Sequence, residues 1–344
     1  MTICYFGIYE PDYSRNRVLI SGLRSNGLEI IECRSQLKGL AKYRELIKKH
    51  RALKNKYDLL LVGFPGYQAA ILARFLTRRP IIFDAFFSIY DSLVRDRKTV
   101  KPRTLAALYY WLLDWLSCRL ADKVLLDTDA HIKYFRKLFG FKQKKFMKVL
   151  LGADDKIFKP GAKRDHDYFL VHFHGIATPL QGVAYILRAA ELLRGENVKF
   201  NLIGGKIKNR AAGDCDNINF IGTAPYLELA ELIKEADVCL GIFGDSAKTR
   251  AVIPNKVYEA LAAGKAVITA DTPAVKELLT DRKNCLLCRT ADAADLAEKI
   301  MELKNNRELR RTIAENGYRL FLNKLSPSKA TRQLAEYIKT NVLL

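Results

Sequence analysis

Gly241-Ile-Phe-Gly-Asp-Ser-Ala-Lys248-Thr-Arg250-Ala-Val-Ile-Pro254-Asn-Lys256-Val-Tyr-Glu259-Ala-Leu-Ala-Ala-Gly264-Lys-Ala-Val-Ile-Thr269 is the stretch on which the fold turns. Val238–Leu240, just before it, reads as a strand that runs into a polar loop. Pro254 suits the first position of a helix and Gly264 its end. Ala266–Thr269 is apolar again and reads as the next strand, so the whole is a strand–helix–strand unit of a parallel sheet. Lys256 and Glu259 are three apart and share one face near the start of the helix. Lys248, Arg250 and Lys256 crowd that same end. Free backbone N–H groups, the positive pole of a helix and three cations make a candidate diphosphate site. Glu259 is then placed to accept hydrogen bonds from a ribose diol. The plain alternative is a helix with solvated charges.

The same rhythm extends outward. Phe169–His172, Lys199–Ile203 and Asn219–Ile221 read as earlier strands of one series. Ile3–Phe6, Glu29–Cys33, Leu59–Val62, Ile81–Phe83 and Val124–Leu126 form another. Most are apolar throughout, as strands covered on both faces must be. The helix between the first two carries Val18, Leu19 and Leu23 at helical spacing, and Gly27 ends it. Leu151 to Gly161 breaks any regular pattern with Pro and Gly and reads as a linker. The expectation is two doubly wound α/β domains, residues 1–160 and 161–326, facing a central cleft beyond the carboxyl ends of their strands. A helix from Pro327 to about Val342 follows them.

Charge separates the halves. The chain of 344 residues has a net charge of +21. Residues 1–160 hold 31 basic and 15 acidic side chains, or +16, which points to an anionic partner for that half. Nine of the cations lie between Arg34 and Lys56 and seven between Lys133 and Lys148, the latter interleaved with Tyr134, Phe135, Phe139, Phe141 and Phe146. Basic residues among aromatics suit an anionic membrane surface. A solvated face is the rival, and no RNA-binding or zinc-finger signature supports nucleic acid. Tyr109, Tyr110, Trp111 and Trp115 share a helix and read as core rather than interface. Seven scattered cysteines are odd in number and fit a reducing compartment, with Cys285 and Cys288 read as buried thiols. The opening Met-Thr-Ile-Cys-Tyr-Phe-Gly has no charged region of a signal peptide, so the expected location is the cytoplasm, at the inner face of the membrane.

The quoted stretch, with Glu277 and Asn284 after it, resembles the donor half of the GT-B-fold, family-4-like glycosyltransferases. Those enzymes carry a Pro-x-Lys-x-x-Glu block, then Ala-x-Gly and an apolar strand. The likeness covers residues 238–300 and is supported by His174-Gly175-Ile176 with Gln181-Gly182, by Gly204-Gly205, by Gly222 before Pro225-Tyr226, and by Gly152, Asp154, Phe158 and Pro160 of the linker. In the N-terminal half it rests on the rhythm and on Tyr13-Ser-Arg15-Asn16. Two positions depart from the pattern. Ala251 stands where members often carry a Glu eight residues before Glu259, and Gln181 where a Lys or Arg is usual.

The resemblance implies two Rossmann-like domains and transfer of a sugar from a nucleotide diphosphate to an acceptor hydroxyl, with retention. No metal and no cofactor beyond the nucleotide-sugar co-substrate is implied, because protein cations and a helix N-terminus hold the departing diphosphate. Neutralisation then leans on Lys248, Arg250 and Lys256, with Gly175 and Gln181 in the same donor pocket. Asp127-Thr-Asp129 has the spelling of a metal motif but reads as helix capping. Asp84, at the end of a strand, is the candidate catalytic carboxylate, against a core role. His174, two residues from His172 where the strand gives way to the Gly175 loop, is the second catalytic candidate, against a satisfied structural histidine. Arg15, Asp91 and Arg97 are assigned to the acceptor, Arg95 and Arg97 alternatively forming surface ion pairs. By analogy the last helix crosses back to the first domain. The resulting expectation is a peripheral-membrane glycosyltransferase with a lipid-linked or cell-envelope glycan acceptor. The alternatives are a soluble enzyme with a small-molecule or protein acceptor, or a non-catalytic, nucleic-acid-binding protein on the same scaffold.

Overall fold

The computed structural model describes residues 1–162, 166–205, 207–208 and 216–341; Cys215 and Val342 lie outside them. They form two compact units, residues 1–151 together with the last helix, and residues 152–326. Residues 152–160, read from the sequence as the end of the first domain, pack with the second unit. Phe158 explains this, since it is buried with its ring edge-on to Tyr226 at 4.9 Å.

The first unit alternates β1 (Thr2–Gly7), α1 (Ser14–Ser25), β2 (Glu29–Arg34), α2 (Ala41–Leu53), β3 (Leu59–Val62), α3 (Tyr67–Leu76), β4 (Ile81–Asp84), α4 (Leu105–Leu120), β5 (Lys123–Leu126), α5 (Asp129–Phe139) and β6 (Phe146–Lys148). All pairings are parallel, in the order β2-β1-β3-β4-β5-β6. Every residue of β3 and β4 is buried, whereas edge strand β2 exposes Glu29 and Glu32, which discourages further pairing. The two apolar layers lie on opposite faces of the sheet, as alternation requires: Cys4 and Phe6 face one, Ile3 and Tyr5 the other.

The second unit runs β7 (Phe169–His174), α6 (Val183–Leu192), β8 (Val198–Ile203), β9 (Ile218–Ile221), α7 (Tyr226–Glu235), β10 (Val238–Leu240), α8 (Asn255–Ala262), β11 (Ala266–Ala270), α9 (Pro273–Lys276), β12 (Leu286–Cys288), α10 (Ala293–Asn305) and α11 (Arg307–Leu320). Its parallel order is β12-β11-β10-β7-β8-β9, the dinucleotide-fold order, with the reversal between β7 and β10. Helix α12 (Pro327–Asn341) belongs to the first unit. There it packs along α1, Asn26 Nδ2 donating to the Ser328 carbonyl at 2.9 Å, while Leu334 and Ile338 enter the core.

Three readings change. Of the aromatics of residues 133–148, Phe135, Phe139 and Phe146 are buried and Tyr134 and Phe141 half-buried against the same core, so this segment presents mainly charges. The cap of α5 is Thr128, which accepts from the His131 N–H at 2.9 Å; Asp127 instead takes His131 Nδ1 at 2.6 Å, and Asp129 pairs with Lys148. Trp111 and Trp115 pack on the core as expected, but Tyr109 on the same helix is exposed.

Candidate functional site

The site assembles at the reversal between β7 and β10, where two loops leave the sheet in opposite directions. The loops cross in backbone contact: Phe243 N–H donates to the Gln181 carbonyl at 3.1 Å and Gly244 N–H to that of Leu180 at 3.3 Å. Gly182 makes this possible. Its φ is +68°, and a Cβ there would lie 2.5 Å from Gly244 N.

Helix α8 starts behind that crossing. Lys256, in its first turn, is buried; its Nζ donates to Gln181 Oε1 and sits 3.8 Å from the centre of the Phe173 ring. Gly175, at φ +150°, leaves the room, because its Cβ would lie 2.9 Å from that nitrogen. Burial pushes the Lys256 ammonium well below its usual pKa, and Glu259 opposes the shift. No carboxylate among the described residues comes within ion-pair distance of it.

Glu259 lies one turn on, 3% exposed. Its Oε2 meets His174 Nε2 at 2.9 Å, and its Oε1 accepts from Tyr226 OH at 3.3 Å. His174 closes β7 and carries its other ring nitrogen 3.0 Å from His172 Nε2. His172 is buried deeper. Burial, then His174 and Lys256, push its pKa well below the imidazole range, so it is neutral. A neutral His172 and the Glu259 carboxylate therefore bracket His174. Lys248 is buried and Arg250 exposed in the loop leading to α8.

Six of the assigned donor residues and His174 thus lie in one unit, on the β7 and β10 loops and α8. The other assigned residues lie in the first unit. Asp84 and Arg15 are both fully buried and bind each other, Arg15 Nη2 to Asp84 Oδ1 at 2.8 Å, with Arg15 Nη1 on the carbonyls of Val149 and Leu150 at 2.9 and 3.1 Å. This pairing supports the core role weighed for Asp84 from the sequence over the catalytic one, and gives Arg15 a structural partner. Burial raises the Asp84 pKa, Arg15 opposing. Asp91 is also buried, accepting from Tyr134 OH, whereas Arg97 is exposed. Sequence reasoning gave no role to Tyr226 or Phe173. The Tyr226 signal was present, at the first turn of a helix that follows a strand end.

The two doubly wound parallel sheets match GT-B glycosyltransferase structures. HepE of Anabaena in complex with UDP-glucose superposes with a TM-score of 0.72, at 16% identity, over 99% of this chain and 100% of that one. Sucrose-phosphate synthase of Thermosynechococcus elongatus gives 0.78, at 14% identity, over 98% of each. Residues 154–320 match the family of glycosyl transferases group 1. An N,N'-diacetylbacillosaminyl-diphospho-undecaprenol alpha-1,3-N-acetylgalactosaminyltransferase of Campylobacter jejuni is 24% identical over 58% of this chain and 56% of its own length. An uncharacterized glycosyltransferase of Methanocaldococcus jannaschii is 29% identical over 44% and 42%. The chain spans about half the length of these two relatives. The fold is that of the GT-B glycosyltransferase structures, and within it residues 154–320 resemble the group 1 glycosyl transferases.

Proposed function

We propose that the chain transfers a sugar, with retention, from a nucleoside-diphosphate donor held at the β7–β10 reversal to a lipid-linked or cell-envelope glycan acceptor at an anionic membrane surface. The observation that carries the donor half is Lys256. It is a buried ammonium held by a neutral amide and a ring face, at the start of a helix, where a diphosphate would supply the missing negative charge. Lys248 and Arg250 add charge from the loop. In this reading Glu259 gives up His174 or Tyr226 to take ribose hydroxyls, and the released His174 faces the transferring sugar or its leaving phosphate. The departing diphosphate is met by protein cations, so chelators leave activity unchanged. The acceptor half is supported by the basic excess of the first unit and by the diphospho-undecaprenol-linked substrate in the name of the Campylobacter relative. No helix among the described residues is long and apolar enough to cross a membrane, so attachment in this reading is peripheral.

Thermal unfolding against a panel of nucleoside diphosphates and nucleotide sugars, UDP-sugars first, tests the donor site. About a hundredfold excess over Kd stabilises by roughly 2.7 kcal/mol. The expected result is a shift with one base that disappears in Glu259→Ala and Lys256→Ala. No shift with any nucleotide would overturn the reading.

A further inference from the structure

The outer side of α4 is unused by the donor site and unusually apolar. Leu105 is 86% exposed, and Leu108, Tyr109, Leu112 and Leu116 between 36% and 53%. Spacings of three and four place them in one row along a helix about 24 Å long. Such rows normally face a core, but here the inner side is already filled by buried Ala107, Leu113, Ser117 and Cys118. Asp114, the only acid of the helix, is also on the inner side. It accepts from Ser88 Oγ at 2.6 Å and from the N–H groups of Ile89 and Tyr90 at 3.1 and 2.9 Å. The outer row therefore carries no negative charge.

Cations stand at both ends of it. Arg97, Lys98, Lys101 and Arg103 are exposed just before the helix, and Arg119 in its last turn. Helix α3 lies alongside, Arg74 Nε donating to the Leu120 carbonyl at 3.2 Å, and the next residue, Phe75, is 80% exposed. Here a cavity of about 700 Å³ opens, lined by Lys54, Arg74, Arg78 and Arg79 along with Phe75. In that cavity Arg74 alone among the described cations is paired with an acid, Asp122 at 2.7 Å. An apolar row rimmed mainly by Lys and Arg, beside such a basic cavity, fits the boundary of an anionic bilayer. Leucines and rings enter the acyl region while the cations meet phosphates. A second copy would bring two cationic rims together and be repelled.

We propose that α4, with the end of α3, lies flat on an anionic lipid bilayer and is the membrane-docking face of the chain. This moves the lipid contact away from residues 34–56 and 133–148, where the sequence had placed it. It deepens the proposed function and rests on it for its purpose, while its physical support comes from the first unit alone.

Flotation of the full chain with vesicles tests it, using phosphatidylcholine alone and phosphatidylcholine with about one third phosphatidylglycerol. The expected bound fraction is roughly tenfold higher on anionic vesicles and falls with salt. Leu108→Asp with Leu112→Asp is expected to lower it about tenfold, and Arg78→Glu with Arg79→Glu severalfold. Leu322→Asp, at a comparably exposed leucine of the second unit, is expected to leave it unchanged. Cooperative unfolding certifies that each variant is folded. Nucleotide-induced stabilisation on the same samples reports the donor site separately, so either proposal can fail alone. Wild-type protein that does not float, variants that float like wild type, or a dimer dissolved by the leucine variants would each overturn the docking face.

Discussion

Each unit buries a cation near the carboxyl edge of its sheet, and the two are built in opposite ways. In the first, Arg15 commits four of its five guanidinium N–H groups to both Asp84 oxygens and two carbonyls, with both side chains fully buried. In the second, Lys256 has an amide oxygen and a ring face, while the nearby Glu259 is occupied by His174 and Tyr226. The first arrangement is paired with its own countercharge and closed to solvent. The second holds a charge without a countercharge in contact, beside glycine-lined backbone. Burial of an ionisable group therefore does not mark a site; unspent capacity beside an approachable edge does.

The largest expected effect lies on the closed pair. Asp84→Ala strands Arg15 without its partner and is expected to cost about 3–5 kcal/mol of stability, read by urea unfolding. Lys256→Met removes an ammonium that burial already disfavours, so its stability is expected to stay level or rise. Equal losses from the two substitutions would break the contrast.

Second in size is the binding counterpart. Lys256→Met is expected to weaken the best nucleoside diphosphate by about 1.5–3 kcal/mol, roughly ten- to a hundredfold, by titration calorimetry. Asn in place of Asp84, where it folds, is expected to leave that affinity within about threefold, in line with distant sites acting independently.

The contrast also marks how far sequence could reach. Lys256 and Glu259 were legible because the helix that sets their spacing announces itself with Pro254 and Gly264. The pairing of Asp84 was not legible because its partner is 69 residues away, and no local pattern says that a strand-end carboxylate will meet an arginine. Comparable separations hid the contacts around Lys256 and Glu259, 75 residues from Gln181 to Lys256 and 85 from His174 to Glu259. Strands β6 and β12 were not read because Phe146–Lys148 ends a basic stretch and Leu286–Cys288 was read for its thiols. In α5, by contrast, Phe135 and Phe139 at i,i+4 did signal a buried face, and the surrounding lysines drew the reading outward.

A pH prediction sharpens the comparison within the second unit. His172 is held neutral when folded and returns to about 6.5 when unfolded, so the unfolded chain binds more protons below that value. Its contribution is fully present above pH 6.5 and is lost as pH falls from there toward the depressed folded pKa. His172→Gln is expected to flatten the acid limb of a stability–pH curve between about pH 6.5 and 5. A limb of unchanged slope would show that His172 is not the group responsible.

The smallest effect separates two explanations of Asp127-Thr-Asp129. If this triplet serves the helix and no ion, the residue that matters is the one whose side chain reaches the helix end. Thr128 accepts from the His131 N–H at 2.9 Å, and Thr128→Ala is expected to cost about 1 kcal/mol. Asp129 is half exposed, and its pair with Lys148 is open to water, so Asp129→Ala is expected to change stability by about 0–1 kcal/mol. Neither substitution is expected to alter turnover, with or without chelator, once corrected for the folded fraction. Loss of activity in Asp129→Ala that added divalent metal restores would return the triplet to the chemistry and place reactive groups in the first unit after all.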